Sequence, residues 1–459
     1  MSGIQYLQTV DWIPDNRFAV SGMTDSIYGT AVSDKHNMSK TGEIHHNQDQ
    51  TVIMSHPPVL FSAPHRVMFF AGTIQLVLTL LFWCVELVGR YTSFWPPLKM
   101  ILPGVWAHTF MMVYGLYPFF IFGFLLTTYP RWLKTDPVPA SSYTAAFVLM
   151  LAGNLLFYPA LFISRTLLEL AVLALLSGWT IALCALVRAY LCPQAIRTHY
   201  ELILICLLVL GLSGASSSLA WLMTNNDLYY RFTLTGGVWL FLVPVIITVA
   251  HRMIPFFNSM VLAGYTLVRP GWSLPFVGIC LLGHFSCTLL ELPQWVFVFD
   301  LPLAAAAIYH SWLWQFRRSW KVPLLAMLHI AFLWLPVGMF LFAIQGILFA
   351  VTGTFVLGKA PVHAIGIGFI TSMTLAMAAR VSFGHSGRPL VASRLTLTCF
   401  WLLQLVTLFR IIGEFPLPGT DMTSYWILTA ALVWVLALSV WAWIYVPIYL
   451  NPRIDGQPG

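Results

Sequence analysis

Apolar residues run in long stretches from residue 67 to residue 448, each close to the ~20 residues a helix needs to cross a hydrocarbon core. The stretches are 67–89, 103–128, 144–163, 166–188, 202–223, 232–256, 272–290, 295–316, 323–349, 362–383, 393–413 and 424–448. Only the short polar Ser164-Arg165 separates the third from the fourth. Backbone groups in lipid must be satisfied within helices or closed barrels, and runs this long are helical. The pattern predicts an all-α polytopic membrane protein with about twelve transmembrane helices in one bundle. No internal repeat is visible, which counts against an inverted-repeat transporter.

Residues 1–60 are polar and lack the basic-then-apolar order of a signal peptide. They are expected to form a cytoplasmic tail, in which the pair His45-His46 is solvated rather than metal-bound. The transmembrane domain is expected over 61–450, with 451–459 as a short cytoplasmic tail.

Composition sharpens this picture. The chain is 59% apolar and 8% charged, with a mean hydropathy of +0.81. That excludes a soluble enzyme, a disordered chain and a disulfide-stapled secreted domain. The net charge of +7 does not point to nucleic acid, because the basic residues sit in short loops between apolar runs. With the N-terminus inside, inner segments hold 13 Lys and Arg from Arg131 to Arg453, and outer segments hold 6. This bias places both termini in the cytoplasm. Of seven cysteines, Cys84, Cys184, Cys206, Cys280, Cys287 and Cys399 lie in apolar runs, and no CxxC occurs. Iron–sulfur and thiol-redox chemistry are therefore not expected.

Carboxylates are nearly absent from the runs. Glu169 and Asp300 are the main exceptions, and an interfacial anchor is the expected role of both. Histidine is the informative residue. Eight of the thirteen lie in or beside the runs: His65, His108, His251, His284, His310, His329, His363 and His385. Neutral imidazole is tolerable in lipid and is a ligand for haem iron and copper. Depth sorts six of them into an outer tier, His108 and His363, and an inner tier, His65, His251, His329 and His385. The inner tier is expected to include the ligands of at least one metal or haem. His108 and His363 are expected to be the two axial ligands of one b-type haem, non-covalent because no CxxCH exists. Arg66, Arg131, Arg252, Arg380 and Arg388 neighbour the inner tier. They either balance haem propionates or another anion, or simply report the positive-inside bias. Cys280, His284 and Cys287 share one helix face, but packing is the expected role there rather than metal binding.

Four segments carry a family resemblance. VHAIGIGFITSMTLAMAARVSFGHSGRPL, Val362 to Leu390, resembles the signature of the NnrS family of nitric-oxide-response membrane proteins. GFLLTTYPRWL from Gly123, HRMIPFF from His251 and VPLLAMLHIAFLWLPVGMFL from Val322 resemble further stretches of that family, in order and spacing. The similarity covers about 60–450. Carried over residue by residue, the shared histidines are His108, His329, His363 and His385. Many members have WHAHE before GFLLT; here Phe110 and Met111 stand where its second histidine and glutamate would be. His65 and His251 occupy positions where many members have other residues. This marks a divergent branch.

The resemblance implies haem b, with copper as a further candidate, and a role in nitric oxide metabolism or nitrosative-stress protection in a bacterial inner membrane. A haem-dependent oxidoreductase that consumes nitric oxide is the leading expectation, with a quinol or a cytochrome as electron donor. A metal, haem or solute transporter, and a non-catalytic haem sensor or assembly factor, remain open. Membrane lipid and nitric oxide or a related small ligand are the expected partners; nucleic acid is not.

Overall fold

The computed structural model describes residues 58–415 and 422–456. The expectations for the polar tail, including His45-His46, lie outside the described residues. Every one of the twelve apolar runs is a helix, and no strand occurs among the described residues. The helices are α1 Pro64–Tyr91, α2 Gly104–Leu133, α3 Ala140–Ile163, α4 Arg165–Leu191, α5 His199–Thr224 and α6 Asp227–Val261. They continue as α7 Ser273–Leu289, α8 Phe297–Leu313, α9 Pro323–Thr352, α10 Ala360–His385, α11 Arg394–Ile412 and α12 Met422–Leu450. Ten are long and apolar enough to cross a membrane; α7 and α8 are shorter, at 17 residues each. At 1.5 Å per residue those two reach ~26 Å, just under a ~30 Å hydrocarbon core.

Helix ends extend past the apolar runs where polar side chains satisfy themselves locally. α2 continues to Leu133 rather than stopping at 128. Thr127 and Thr128 donate to the carbonyls of Gly123 and Phe124 at 2.8 and 2.9 Å, so their hydroxyls need no water. The helix ends where Lys134 turns into the left-handed region at φ 56°. At the Ser164 break, the serine hydroxyl accepts from Leu167 N at 3.2 Å and caps α4. α3 and α4 then approach through glycines. A Cβ on Gly153 would lie 2.6 Å from the Ala171 carbonyl, and one on Gly178 would lie 2.7 Å from the Ala146 carbonyl.

Consecutive helices pack together around the bundle, and α12 packs against α1 to close the ring. A recurrence absent from the hydropathy pattern emerges here. α2, α6 and α10 each contain a π turn, at Met111–Leu116, Gly237–Leu242 and Ala364–Thr371. Successive π-turned helices are four apart, so the chain falls into three groups of four. Tyr114 of α2 donates to the Thr233 carbonyl of α6 at 2.6 Å, and Tyr117 of α2 meets Thr371 of α10 at 2.6 Å. These bonds tie the three π-turned helices together.

The starts of odd-numbered helices and the ends of even-numbered ones share one face, here the near face. Ile196 N donates to Leu133 O at 2.9 Å across it, joining the loop before α5 to the end of α2. The opposite, far face carries the starts of α2 and α10.

Candidate functional site

His108 and His363 both lie toward the far face, just before the π turns of α2 and α10. Arg410 of α11 lies within electrostatic range of both imidazoles, and His108 of His363, so the two rings occupy the same part of the far side. The His108 ring lies flat on Trp83, with centroids 4.3 Å apart and planes 10° apart. Its Nδ1 is buried without a hydrogen-bond partner. His363 Nδ1 instead pairs with the Lys359 carbonyl at 2.8 Å, which fixes Nδ1 as the protonated atom and leaves Nε2 as a lone-pair donor. A carbonyl behind an imidazole is the usual support of a ligating histidine. His363 therefore fits a ligand role through its supported ring, and His108 through a buried ring nitrogen that no protein group engages.

The four histidines of the expected inner tier all lie on the near side but do not converge. His65 and His385 form one pair, with ring centroids 4.6 Å apart and planes 39° apart. His65 Nδ1 is buried and unpartnered. Arg66, Arg131 and Arg453 act electrostatically on both rings. His251 lies elsewhere, bonded through Nδ1 to the Tyr200 hydroxyl at 2.8 Å and 5.8 Å from the ring of His310. His329 Nε2 meets Asn258 Oδ1 at 3.2 Å, and Asn258 Nδ2 donates to the Trp314 carbonyl at 2.7 Å. No group of three or more His, Cys, Asp or Glu suited to one metal occurs among the described residues. The expected single tier is thus three separate polar clusters.

The arginines also separate. Arg66, buried, donates through Nη1 to the carbonyls of Tyr449 at 3.1 Å and Asn451 at 2.8 Å, so it caps the end of α12. Arg252 pairs with Glu201 at 2.8 Å between the rings of Trp132 and Tyr200. Both are engaged by the protein itself, which leaves Arg380 and Arg388 as the better candidates for an external anion. Arg380 is buried with its guanidinium 3.9 Å from the centroid of Phe257, and Arg388 Nε is buried without a partner. Arg380 is 17 residues along α10 from His363, ~25 Å at 1.5 Å per residue. That is most of a ~30 Å hydrocarbon core, so Arg380 does not serve a group bound at His363.

Asp300 is not an interfacial anchor. It is fully buried at the start of α8, and its Oδ1 lies 2.7 Å from His284 Nδ1 of α7. Trp239, in the α6 π turn, lies against His284 with ring centroids 3.8 Å apart and planes tilted by 44°. The sequence signal for this pair is a carboxylate inside an apolar run, one helix after a histidine. Such a carboxylate requires a buried partner. Glu169, by contrast, is half-buried near the start of α4, in the place an anchor would take.

The centre of the bundle holds an apolar cavity. Phe69 of α1, Phe120 and Phe124 of α2, Val245 and Val249 of α6, and Met373 and Met377 of α10 line it. It offers about 50 Å³ to the centre of a water-sized sphere, room for a diatomic gas rather than for a haem. No histidine lines it.

Comparison with known families adds one finding. The family model described as NnrS protein matches residues 59–453, most of the chain. No curated protein matches.

Proposed function

Because the chain belongs to the NnrS family, we propose that it binds haem b, with copper as a second metal, and removes nitric oxide reductively in a bacterial inner membrane. The observation that carries this reading is the far-face histidine pair. Two imidazoles from α2 and α10 occupy the same part of the far side, and His363 is oriented by a backbone carbonyl with Nε2 free. His108 and His363 would hold the haem. Bound there, it supplies a redox centre for electrons from a quinol or a cytochrome. His65 and His385 would hold copper, since imidazole suits that metal and the rings are adjacent. Arg131, which acts on both rings, then favours an anion as a further ligand on the near face. The central apolar cavity suits an uncharged gas, because its walls carry no charged side chain and the hydroxyl of Thr374 bonds back to the Ile370 carbonyl.

We place both termini in the cytoplasm, since Lys and Arg are concentrated on the near face. All twelve helices are proposed to cross, with α7 and α8 fitted by local thinning of the bilayer.

The deciding experiment is an optical spectrum with metal analysis on full-length protein purified in detergent, followed by nitric oxide consumption with a reductant. A stoichiometric haem band and consumption above the haem-free baseline support the reading. A colourless, metal-free protein overturns it and favours transport. Haem without turnover favours a sensor or assembly role.

A further inference from the structure

A second, smaller cavity lies toward the near face, between α6, α7, α8 and α9. His251, Ser273 and His310 line it, with Trp314, Phe332 and Leu335 among its apolar walls. His251 Nε2 is buried and has no hydrogen-bond partner. Across the cavity, Ser273 Oγ and His310 Nε2 are 2.7 Å apart, while His310 Nδ1 donates to the Ala306 carbonyl at 2.6 Å. The space open to a water centre is about 10 Å³, one water's worth, and the polar lining offers the two to three partners a buried water requires.

On its other side His251 leads to the surface. Its Nδ1 shares a 2.8 Å hydrogen bond with the Tyr200 hydroxyl, and the Tyr200 ring lies 4.2 Å from that of the exposed His199. We propose that Tyr200, His251 and one water in this cavity form a proton relay from the near face toward Ser273 and His310. As Tyr200 passes a proton to His251 Nδ1, Nε2 releases its own proton to the water, which hands one on to His310 Nε2 or Ser273. Tyr200 regains a proton from the surface, His251 is left neutral in its other tautomer, which a turn of the ring resets, and His310 carries the extra proton as imidazolium until it returns it to the water.

The donors around the ring favour water over a metal ion as the occupant. Arg252 stacks on Tyr200 with its guanidinium 5.1 Å from the ring centroid, and Arg269 Nη2 donates to the Arg252 carbonyl at 2.5 Å. Arg269, His199 and His310 all act on His251, and the Pro270 carbonyl also faces it. His310 has Nε2 on Ser273 and Nδ1 on the Ala306 carbonyl, so among the lining residues His251 Nε2 alone is left as an imidazole donor, too few for a metal ion. The relay rests on the reductive reading only for its purpose, since nitric oxide reduction consumes protons. Its existence is measured without nitric oxide.

The test uses full-length protein labelled with nitrogen-15 at histidine, in nanodiscs, moved into deuterated buffer. Ring resonances are assigned with His251→Gln and His310→Gln. The expected result is exchange of the His251 ring proton within minutes, slowed at least tenfold in Tyr200→Phe. The His284 proton, bonded to Asp300 on the far side, serves as the unaffected control. Equal exchange in Tyr200→Phe, or none in the wild type, overturns the relay. Loss of about one copper per chain in both His251→Gln and His310→Gln overturns it in favour of a metal site. Absence of nitric oxide turnover with exchange intact removes the reductive reading and leaves the relay standing.

Discussion

The imidazoles of His65 and His385, 320 residues apart in the chain, lie with ring centroids 4.6 Å apart. The start of α1 and the end of α10 meet at the near face, where Arg66 also holds the end of α12. No side-chain hydrogen bond engages either ring with the described residues. Two adjacent imidazoles beside cations are left for an external ligand to join.

Replacing His385 with Ala is expected to lower copper content by about one ion per chain, and His65→Ala should do the same. Metal analysis of the purified variants checks this. Unchanged copper in both would make the pair structural.

His108→Ala and His363→Ala are expected to lose the same haem absorption band. If each variant lost a different species, or neither lost one, the shared-haem assignment would be wrong.

Arg66→Met is expected to destabilise the fold by about 3 kcal/mol while leaving haem content unchanged, because charge-assisted bonds to the α12 carbonyls are lost. Unfolding in increasing denaturing detergent gives the first quantity and absorbance gives the second. A haem-depleted yet stable variant would return Arg66 to a cofactor role.

Asp300→Leu alone leaves the buried His284 without its partner and is expected to cost roughly 3 kcal/mol. Adding His284→Leu should recover part of that loss, since the unpaired polar ring is removed as well. Strict additivity of the two changes would show that the pair contributes no coupling.

A reporter enzyme active only outside the cytoplasm, fused after Gly459, is expected to stay silent. Activity there would reverse the orientation read from the basic residues.

Hydropathy located the twelve apolar helices, ten of them long and apolar enough to cross a membrane, because the cost of burying backbone and side chains in lipid is a sum over neighbours in the chain. It located the ends less well. At Thr127 and Thr128, hydroxyls that bond back to the helix hide a polarity that the sequence displays. The four segments from Gly123, His251, Val322 and Val362 were enough to place the family.

Which polar groups meet was decided only by the tertiary structure. Residue spacing could put His65, His251, His329 and His385 at one depth, but depth is a single coordinate. Rotation and neighbour choice then sent His251 to Tyr200, His329 to Asn258, and His65 to His385. The same holds for Arg66, whose charge is legible but whose partners are carbonyls more than 380 residues away. Asp300 reads as an anchor until α7 and α8 pack and His284 receives its carboxylate. A buried charge must find a partner, and the sequence states that requirement; only the packing of helices in three dimensions names the partner.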